Sequence, residues 1–421
     1  MLNLKFVREF PDIVKQNNTY KNVNVDVDAI VDSDERRRQI IGEVEELKNK
    51  RNIATKLIAQ KKKNKENADD DIKNMRDVSD TISNLDNELK DIEAKINEDL
   101  MKIPNIIHES VPIGNSEDDN VVVSNHGEIF EVNHNFDHIE IGKRLNIIDF
   151  ERGAKVTGSG FAFLTGKGAK LERALLNFFL DENSAKGYTE FFSPFIVNQN
   201  SMEGTGQLPK MAEDMYHCTE DNLYLIPTAE VPLTNYHNNE MLRGEQLPIK
   251  ITGYSPCFRR EAGSHGKEVR GFLRVHQFNK VELVKLVEPE NSFDELDSLA
   301  RDSEDLIKKL GLTYRVLLLC SGDTSFASAK TFDFEVWAGV EKRWLEVSSC
   351  SNFMDFQSRR ANIRFKKTQD SKPEFVHTLN GSALATPRIL VAILEQYYDG
   401  EKLVIPEVLR KYTGFDTIEA E

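Results

Sequence analysis

From about Val27 to Leu100 the chain contains no proline and a single glycine, Gly42. In the second part of this stretch the apolar positions include Met75, Val78, Ile82, Leu85, Leu89, Ile92 and Ile96. Their steps alternate between three and four, the 3.5-residue period of a coiled-coil seam. The first part repeats the pattern less cleanly through Ile40, Val44, Leu47, Ala54 and Ile58, with Arg51 on the seam. Between the two lies a polar break, Asn64 to Asp70, whose composition suits a turn with a helix N-cap. The pattern predicts an antiparallel helical hairpin, each arm roughly 50 Å long at about 1.5 Å per residue, projecting from the body.

Pro104 ends this pattern, and the loop-like passage Ile103–Asn120 is rich in Pro, Asn, Ser and acidic residues. After about Gly142 the pattern changes to short β-rich runs separated by helices. Candidate helices are Ala169–Glu182, Phe293–Lys309 and Arg388–Tyr398. Candidate strands are Glu190–Val197, Ile249–Arg259, Phe272–Val287, Thr313–Leu319, Phe332–Trp337, Trp344–Ser349 and Phe375–Leu379. Long alternating strands with few βαβ units predict an α+β domain on a largely antiparallel sheet. The predicted division is 1–103 for the helical domain, 104–141 for a linker and 142–421 for the α+β domain.

With 421 residues, 39% hydrophobic and 30% charged, the chain suits a soluble protein with much exposed helix. Its net charge of −15 argues against general polyanion binding, so contact with nucleic acid requires a locally basic surface. Lys48, Lys50, Arg51, Lys56, Lys61, Lys62, Lys63 and Lys65 form such a run, with no acidic residue among them. Two readings stand here: a solvated helix attracted to its acidic partner, or an electrostatic track for phosphates. Cys218, Cys257, Cys320 and Cys350 stand far apart and read as free thiols in a reducing compartment. No signal-peptide core or membrane-length apolar run is present, which points to the cytosol.

Several motifs fail on spacing. Gly160 and Gly166 are separated by five residues where a phosphate-cradling loop needs four, and Gly168 takes the place of its Ser/Thr. Pro209 interrupts a dinucleotide fingerprint begun by Gly204 and Gly206. His134 and His138 have helical spacing, but Asn133–Asp137 lacks a helical apolar pattern, so they read as surface histidines. The informative segment is Ile251–Val287, two strands around a Gly/Ser-containing loop. Arg259 and Glu261 alternate to one face of the first strand; Phe278, Lys280 and Glu282 alternate to one face of the second. If the sets share a side, one face carries a guanidinium, a lysine, two carboxylates and an aromatic plane. Such a face, once buried, requires partners or ligands; a solvated face with cross-strand ion pairs is the alternative.

Here the chain resembles the class II aminoacyl-tRNA synthetases, and among them the bacterial-type seryl enzymes. Phe258-Arg259-Arg260-Glu261 and Arg274-Val275-His276-Gln277-Phe278 match the two sides of that class's motif 2. Pro194, in Phe191-Phe192-Ser193-Pro194-Phe195, fits the motif 1 proline, and Arg388 the motif 3 arginine. The seryl resemblance rests on Thr228-Ala229-Glu230, Glu346-Val347-Ser348-Ser349-Cys350-Ser351-Asn352 and His377-Thr378-Leu379-Asn380-Gly381-Ser382. It extends through the helical hairpin and Pro104–Pro112.

The resemblance implies a homodimeric ligase that activates L-serine with ATP and transfers it to tRNA(Ser), leaving open whether tRNA(Sec) is also charged. It implies catalytic roles for Arg259, Glu282 and Arg388, and a serine pocket of Thr228, Ala229, Glu230, Arg259, Glu282, Asn380 and Ser382. The implied ATP site comprises Arg259, Arg260, Glu261, Val275, Phe278, Glu346, Val347, Ser348, Ser349 and Arg388, with Mg2+ on Glu346 and Ser349. The basic run Lys48–Lys65 becomes a tRNA contact. Two departures from the family pattern stand in motif 3. Thr386-Pro387 precede Arg388 where a glycine is usual, and Ala383 replaces a common glycine. A non-catalytic RNA-binding relative should have lost one of Arg259, Glu261, Glu346 or Arg388; a ligase acting on a carrier protein should lack the basic arm.

Overall fold

The computed structural model describes residues 1–129, 132, 134–262 and 270–420. Asn133 and most of the Gly/Ser-containing loop between the two motif 2 strands lie outside the described residues. The chain divides into two compact units, Leu2–Pro104 and Asn105–Glu421, the second also including Met1.

In the first unit the hairpin consists of α1 (Val27–Lys63) and α2 (Asp69–Leu100). Ile40, Val44 and Ile82 are buried at its seam, with Leu47, Val78, Leu85, Leu89 and Ile92 packed against them. Asp26 caps α1, its carboxylate accepting from Ala29 N–H at 3.0 Å. Lys61–Lys63 close α1 and Asp69–Asp71 open α2, each charge placed favourably on its helix dipole. The polar break forms the turn, but the N-cap position falls on Ala68 and the capping bond comes from Asn67, which accepts from Asp69 N–H at 2.8 Å. Ion pairs cross the hairpin at Arg36–Glu88 (2.8 Å), Lys48–Asp86 (3.7 Å) and Lys61–Asp71 (2.5 Å).

The second unit is built on an eight-stranded sheet. In chain order its strands are β1 (Val121–His126), β2 (Thr189–Phe191), β3 (Ile249–Phe258), β4 (Gln277–Val287), β5 (Tyr314–Leu318), β6 (Lys330–Ala338), β7 (Arg343–Asn352) and β8 (His377–Ala385). They lie in the order β1-β5-β6-β7-β8-β4-β3-β2. Every pairing is antiparallel except β2 with β3. Helices α3 (His138–Arg144), α4 (Gly166–Ala185), α5 (Ser292–Leu310) and α6 (Thr386–Tyr397) contribute to a single apolar core with the sheet, including Leu175, Phe178, Leu299, Leu306, Leu283 and Ile393. The α+β architecture with a largely antiparallel sheet is therefore as the strand pattern predicts.

The differences have local causes. The run Glu190–Val197 is two strands in separate sheets, Thr189–Phe191 and Ile196–Asn198, because Pro194 lies between them and cannot donate to a ladder. Strand β4 begins at Gln277, five residues later than the apolar pattern suggests. The stretch 104–141, read as a linker, supplies edge strand β1, and buried Asn105 donates to the Ala327 and Phe353 carbonyls at 2.9 and 2.8 Å. His134 and His138 are buried, not at the surface, and His138 opens helix α3. Ala383 points into the core and Pro387 occupies the first turn of α6, where a missing N–H costs nothing.

The hairpin's stability should depend on its seam far more than on its ion pairs. Ile82 is 4% exposed, so Ile82→Ala should destabilise α1 and α2 by about 2–3 kcal/mol. Lys61→Gln, losing a partly exposed pair, should cost less than about 1 kcal/mol. Hydrogen-exchange protection of the two helices measures both; a loss for Lys61→Gln as large as that for Ile82→Ala would show that charge holds the hairpin as much as the seam does.

Candidate active site

The β3–β4 register sets Phe278 opposite Cys257, Lys280 opposite Ser255 and Glu282 opposite Gly253. Opposed residues share a face, so the alternation carries through to Arg259, whose N–H donates to the His276 carbonyl at 2.9 Å. The Arg259 guanidinium lies 5.2 Å from the Phe278 ring centre, and its Nε donates to the Pro227 carbonyl at 3.4 Å. Arg259, Phe278, Lys280 and Glu282 thus share one side. Glu261 does not follow by alternation: β3 ends at Phe258 and Glu261 has φ of 50°, in the left-handed region. It pairs instead with Arg274 at 3.5 Å.

Glu282 is fully buried where β4 lies between β3 and β8. Its Oε2 meets Lys280 Nζ at 2.6 Å and accepts from the Thr228 hydroxyl at 3.1 Å; its Oε1 accepts from the Asn380 amide at 2.9 Å. Burial nevertheless holds its pKa above the usual carboxylate range, opposed by Lys280. Glu230, 6% exposed, accepts from Gln357 Nε2 at 2.6 Å. Burial, and then the charge of Glu282, push it up to about 7. Two buried carboxylates beside one lysine leave room for a cation.

A cavity of about 960 Å³ opens over this face. Among the predicted site residues it is lined by Thr228, Glu230, Arg259, Glu282, Glu346, Ser349, Asn380, Ser382 and Arg388. Ala229, Val275 and Val347 are buried in apolar clusters instead. Ser348 lies beneath the surface, donating to the Ser382 carbonyl at 2.6 Å. Arg260, Glu261 and Phe278 are not part of the lining.

Two register shifts build the cavity wall. Between β6 and β7, Phe334 opposes Ser348 while Glu335 opposes Glu346, leaving Val347 as an extra residue. This bulge lets Glu346 and Ser349, three apart, face the same side. Between β4 and β8, Glu282 opposes Ser382 while Lys280 opposes Ala385, and Leu384 takes φ of 83° within the extra turn of chain. Helix α6 starts directly afterwards. Arg388 in its first turn donates to the Leu273 carbonyl at 3.2 Å and the Glu346 carbonyl at 2.8 Å, with Glu346 Oε2 at 3.7 Å.

The structure also brings in residues that the sequence reading did not single out. Asp333 is buried beside Ser349, with its Oδ1 unpartnered, and lines the cavity. Burial, then the charge of Glu346, hold its pKa well above the usual range, while the Ser349 hydroxyl opposes this. The alternation Phe332-Asp333-Phe334-Glu335-Val336 carried the signal, since acids on every second position of an apolar strand share one face. Gln357 positions Glu230, and is itself held by the Thr378 hydroxyl at 2.7 Å. Asp214 anchors the start of the motif 2 loop, its carbonyl accepting from Arg260 N–H at 2.8 Å and its Oδ1 from Ala262 N–H at 2.9 Å.

On the helical unit, Lys48 and Lys61 are committed to Asp86 and Asp71. Among the described residues no ion pair forms at Lys50, Arg51, Lys56, Lys62, Lys63 or Lys65, and all but the half-buried Arg51 are exposed.

The family model of the seryl-tRNA synthetase N-terminal domain matches residues 1–107. That of the tRNA synthetase class II core domain (G, H, P, S and T) matches residues 215–397. The serine–tRNA ligase of Chloroherpeton thalassium is 52% identical over 430 residues, covering 99% of this chain and 100% of that protein. The crystal structure of seryl-tRNA synthetase from Pyrococcus horikoshii complexed with ATP superposes with a TM-score of 0.95 at 36% identity, with 100% of both chains covered. The cytoplasmic serine–tRNA ligase from Naegleria fowleri in complex with AMP gives 0.89 at 32% identity, covering 100% of this chain and 99% of that one. The chain belongs to the seryl-tRNA synthetase family of class II.

Proposed function

We infer that this chain activates L-serine with ATP, releasing pyrophosphate, and transfers the serine from the adenylate to tRNA. The observation that supports the assignment of the pocket is the pair of buried carboxylates, Glu230 and Glu282, facing the cavity beside Thr228, Asn380 and Ser382. A serine ammonium placed between them offsets charges that are costly to bury alone. The hydroxyl of serine finds acceptors and donors in the same group, and an alanine there would leave them unpaired. Arg259, at the rim, would bridge the serine carboxylate and the α-phosphate, since a guanidinium fork suits both. That brings the carboxylate into line with the phosphorus–oxygen bond to be broken. Arg388 would take the charge of the leaving phosphates, and Glu261 and Phe278 would meet the adenine.

The donors near Glu346 fit a magnesium ion: hard oxygens from Glu346 and Ser349, with the unpartnered Asp333 Oδ1 beside them. The chemistry such an ion supplies when bound is neutralisation of phosphate charge. The basic residues of the Lys48–Lys65 run without ion partners would serve as the phosphate track for tRNA, with residues 1–103 as the tRNA-binding domain and 142–421, joined by edge strand β1 from the 104–141 stretch, as the catalytic domain. Phe192 is 82% exposed next to the motif 1 proline, Pro194, an apolar surface that a second copy of the chain would cover. No helix among the described residues is long and apolar enough to cross a membrane; a cytoplasmic location is our reading.

Serine-dependent pyrophosphate exchange tests the activation step. Exchange should be strong with serine and nearly absent with alanine, and Arg259→Ala should lower it at least ~100-fold, as for loss of a preorganised charge stabiliser. Comparable rates for both amino acids would sink the pocket assignment.

Glu230 gives a pH signature. Its folded pKa, about 7, lies above the ordinary 4.5. The folded state therefore favours the neutral acid, and stability falls as pH rises from about 4.5 to about 7, by on the order of 3 kcal/mol. Glu230→Gln should raise the Tm of the serine-free protein at pH 8 while changing it little at pH 5, and should weaken serine binding. A Tm gain independent of pH would show that the carboxylate's burial is not the cause.

For the arm, Lys62, Lys63 and Lys65 changed together to Gln should weaken tRNA binding. The log–log slope of affinity against salt should become shallower by roughly 0.7–0.9 for each lysine–phosphate interaction removed. Lys61→Gln, already paired with Asp71, should have a smaller effect. An unchanged slope would return α1 to the reading of a solvated helix.

A further inference from the structure

The chain segment Arg270–Arg274 leads from the motif 2 loop into β4, and it is gripped from a direction that the activity does not explain. Asp137 and His138, at the start of α3, hold its first residues. Asp137 Oδ2 pairs with Arg270 at 2.7 Å, and His138 Nε2 accepts from Phe272 N–H at 3.2 Å. Gly271, with φ of 61°, lies against the same ring, where a Cβ would collide with Nε2. Accepting from a backbone N–H, Nε2 carries no proton, so the ring's proton is assigned to Nδ1. Nδ1 points toward Glu395 Oε1 at 3.6 Å. Both residues are fully buried, and neither of these two atoms has a hydrogen-bond partner. The other oxygen of Glu395 accepts from Val340 N–H at 2.9 Å and Glu341 N–H at 3.4 Å.

Glu395 lies seven residues beyond Arg388 on α6, about two turns along the same face. Arg388 holds the Leu273 carbonyl directly; Glu395 reaches Phe272 through His138. The motif 3 helix therefore fixes the peptide groups on either side of the Phe272–Leu273 bond, in the segment that presents Leu273 and Arg274 to the cavity. Glu341 brings a third ligand atom within 4.8 Å of the other two, the arrangement of a metal cluster. The ring atom that would meet a cation is Nδ1, however, which holds the proton. The cluster is a support and not a metal site.

We propose that His138 and Glu395 are positioning residues for ATP, acting through Phe272 to place the Leu273–Arg274 segment and, with it, the Arg388 guanidinium. The proposal rests on the reading of the cavity as the ATP site. It predicts a split between the substrates. In pyrophosphate exchange, His138→Ala should raise KM for ATP ~10-fold and leave KM for serine within about twofold, because Glu282 lies well along β4, held by its pairing with β3 and β8, and Thr228, Glu230, Asn380 and Ser382 lie on other elements. His138→Gln, whose amide oxygen can accept from Phe272 N–H while its NH2 faces Glu395, should recover most of the loss. Glu395→Gln keeps an acceptor for the Val340 and Glu341 amides and should show the same split in milder form, serving also if His138→Ala fails to fold. An unchanged KM for ATP in folded His138→Ala or Glu395→Gln would overturn the proposal. So would equal rises for both substrates with no rescue by Gln, which marks a general packing role. Absence of serine-dependent exchange in the unaltered protein would instead refute the activity on which the proposal rests.

Discussion

A buried carboxylate on the floor of the cavity, Glu282, governs the organisation of the catalytic unit. Burying it alone would cost several kcal/mol, and the surrounding structure is arranged to meet that cost. Lys280 shares its strand and face, Asn380 reaches it from β8, and Thr228 reaches it from the loop before the helix that carries Glu230. Each of those residues is in place only if β4 is in register with both neighbouring strands. A one-residue slip would turn Glu282 into the core and bring Leu283 into the cavity. The same carboxylate raises the proton affinity of Glu230, so in the proposed pocket a positive ligand between the two would offset the charge that both carry.

Much of this was legible in the chain because alternation survives where strands are regular. The sharing of one face by Arg259, Phe278, Lys280 and Glu282 follows from period two and the hairpin register alone. The heptad steps from Val78 to Ile92 likewise find their partners in Ile40, Val44 and Leu47. Legibility failed where the backbone leaves the regular period. Glu261 was placed by strand alternation, but the left-handed turn at that residue ends the rule. Glu346 and Ser349 share the cavity wall through the bulge at Val347, which no local pattern announces, and were placed by family resemblance. Asp333 and Glu335 had a readable pattern but no motif to draw attention to them. His138 reads as exposed because it opens a helix of only seven residues, about two turns, too short for periodicity to register.

The regularities and the irregularities divide the work. Regular ladder gives a rigid floor in which side chains at i and i+2 are held to one side. The bulges on β7 and β8 turn additional residues onto that floor and end by delivering Arg388 at the first turn of α6. Leu384, a buried residue with positive φ, is the strained point of that path. Its side chain packs in the core, so burial of an apolar residue sustains a backbone conformation that the local chain would not choose.

The distribution of charge resolves the conflict between a net charge of −15 and two anionic substrates. Screening limits the reach of a charge to about 8 Å at physiological ionic strength, so a ligand responds to the groups nearest it and not to the total. In the cavity the acids are either deep, as Glu230 and Glu282, or gathered around Asp333 and Glu346, and Arg259, Arg274 and Arg388 line it with them, Arg388 beside Glu346 itself. On the hairpin, α2 carries most of the acid, and two of its carboxylates neutralise only Lys48 and Lys61 of the α1 run. The remaining basic side chains stay without ion partners because the antiparallel register places the acids of α2 elsewhere. Register, which fixes the buried carboxylate in one unit, thus also decides in the other which cations are left free for a polyanion.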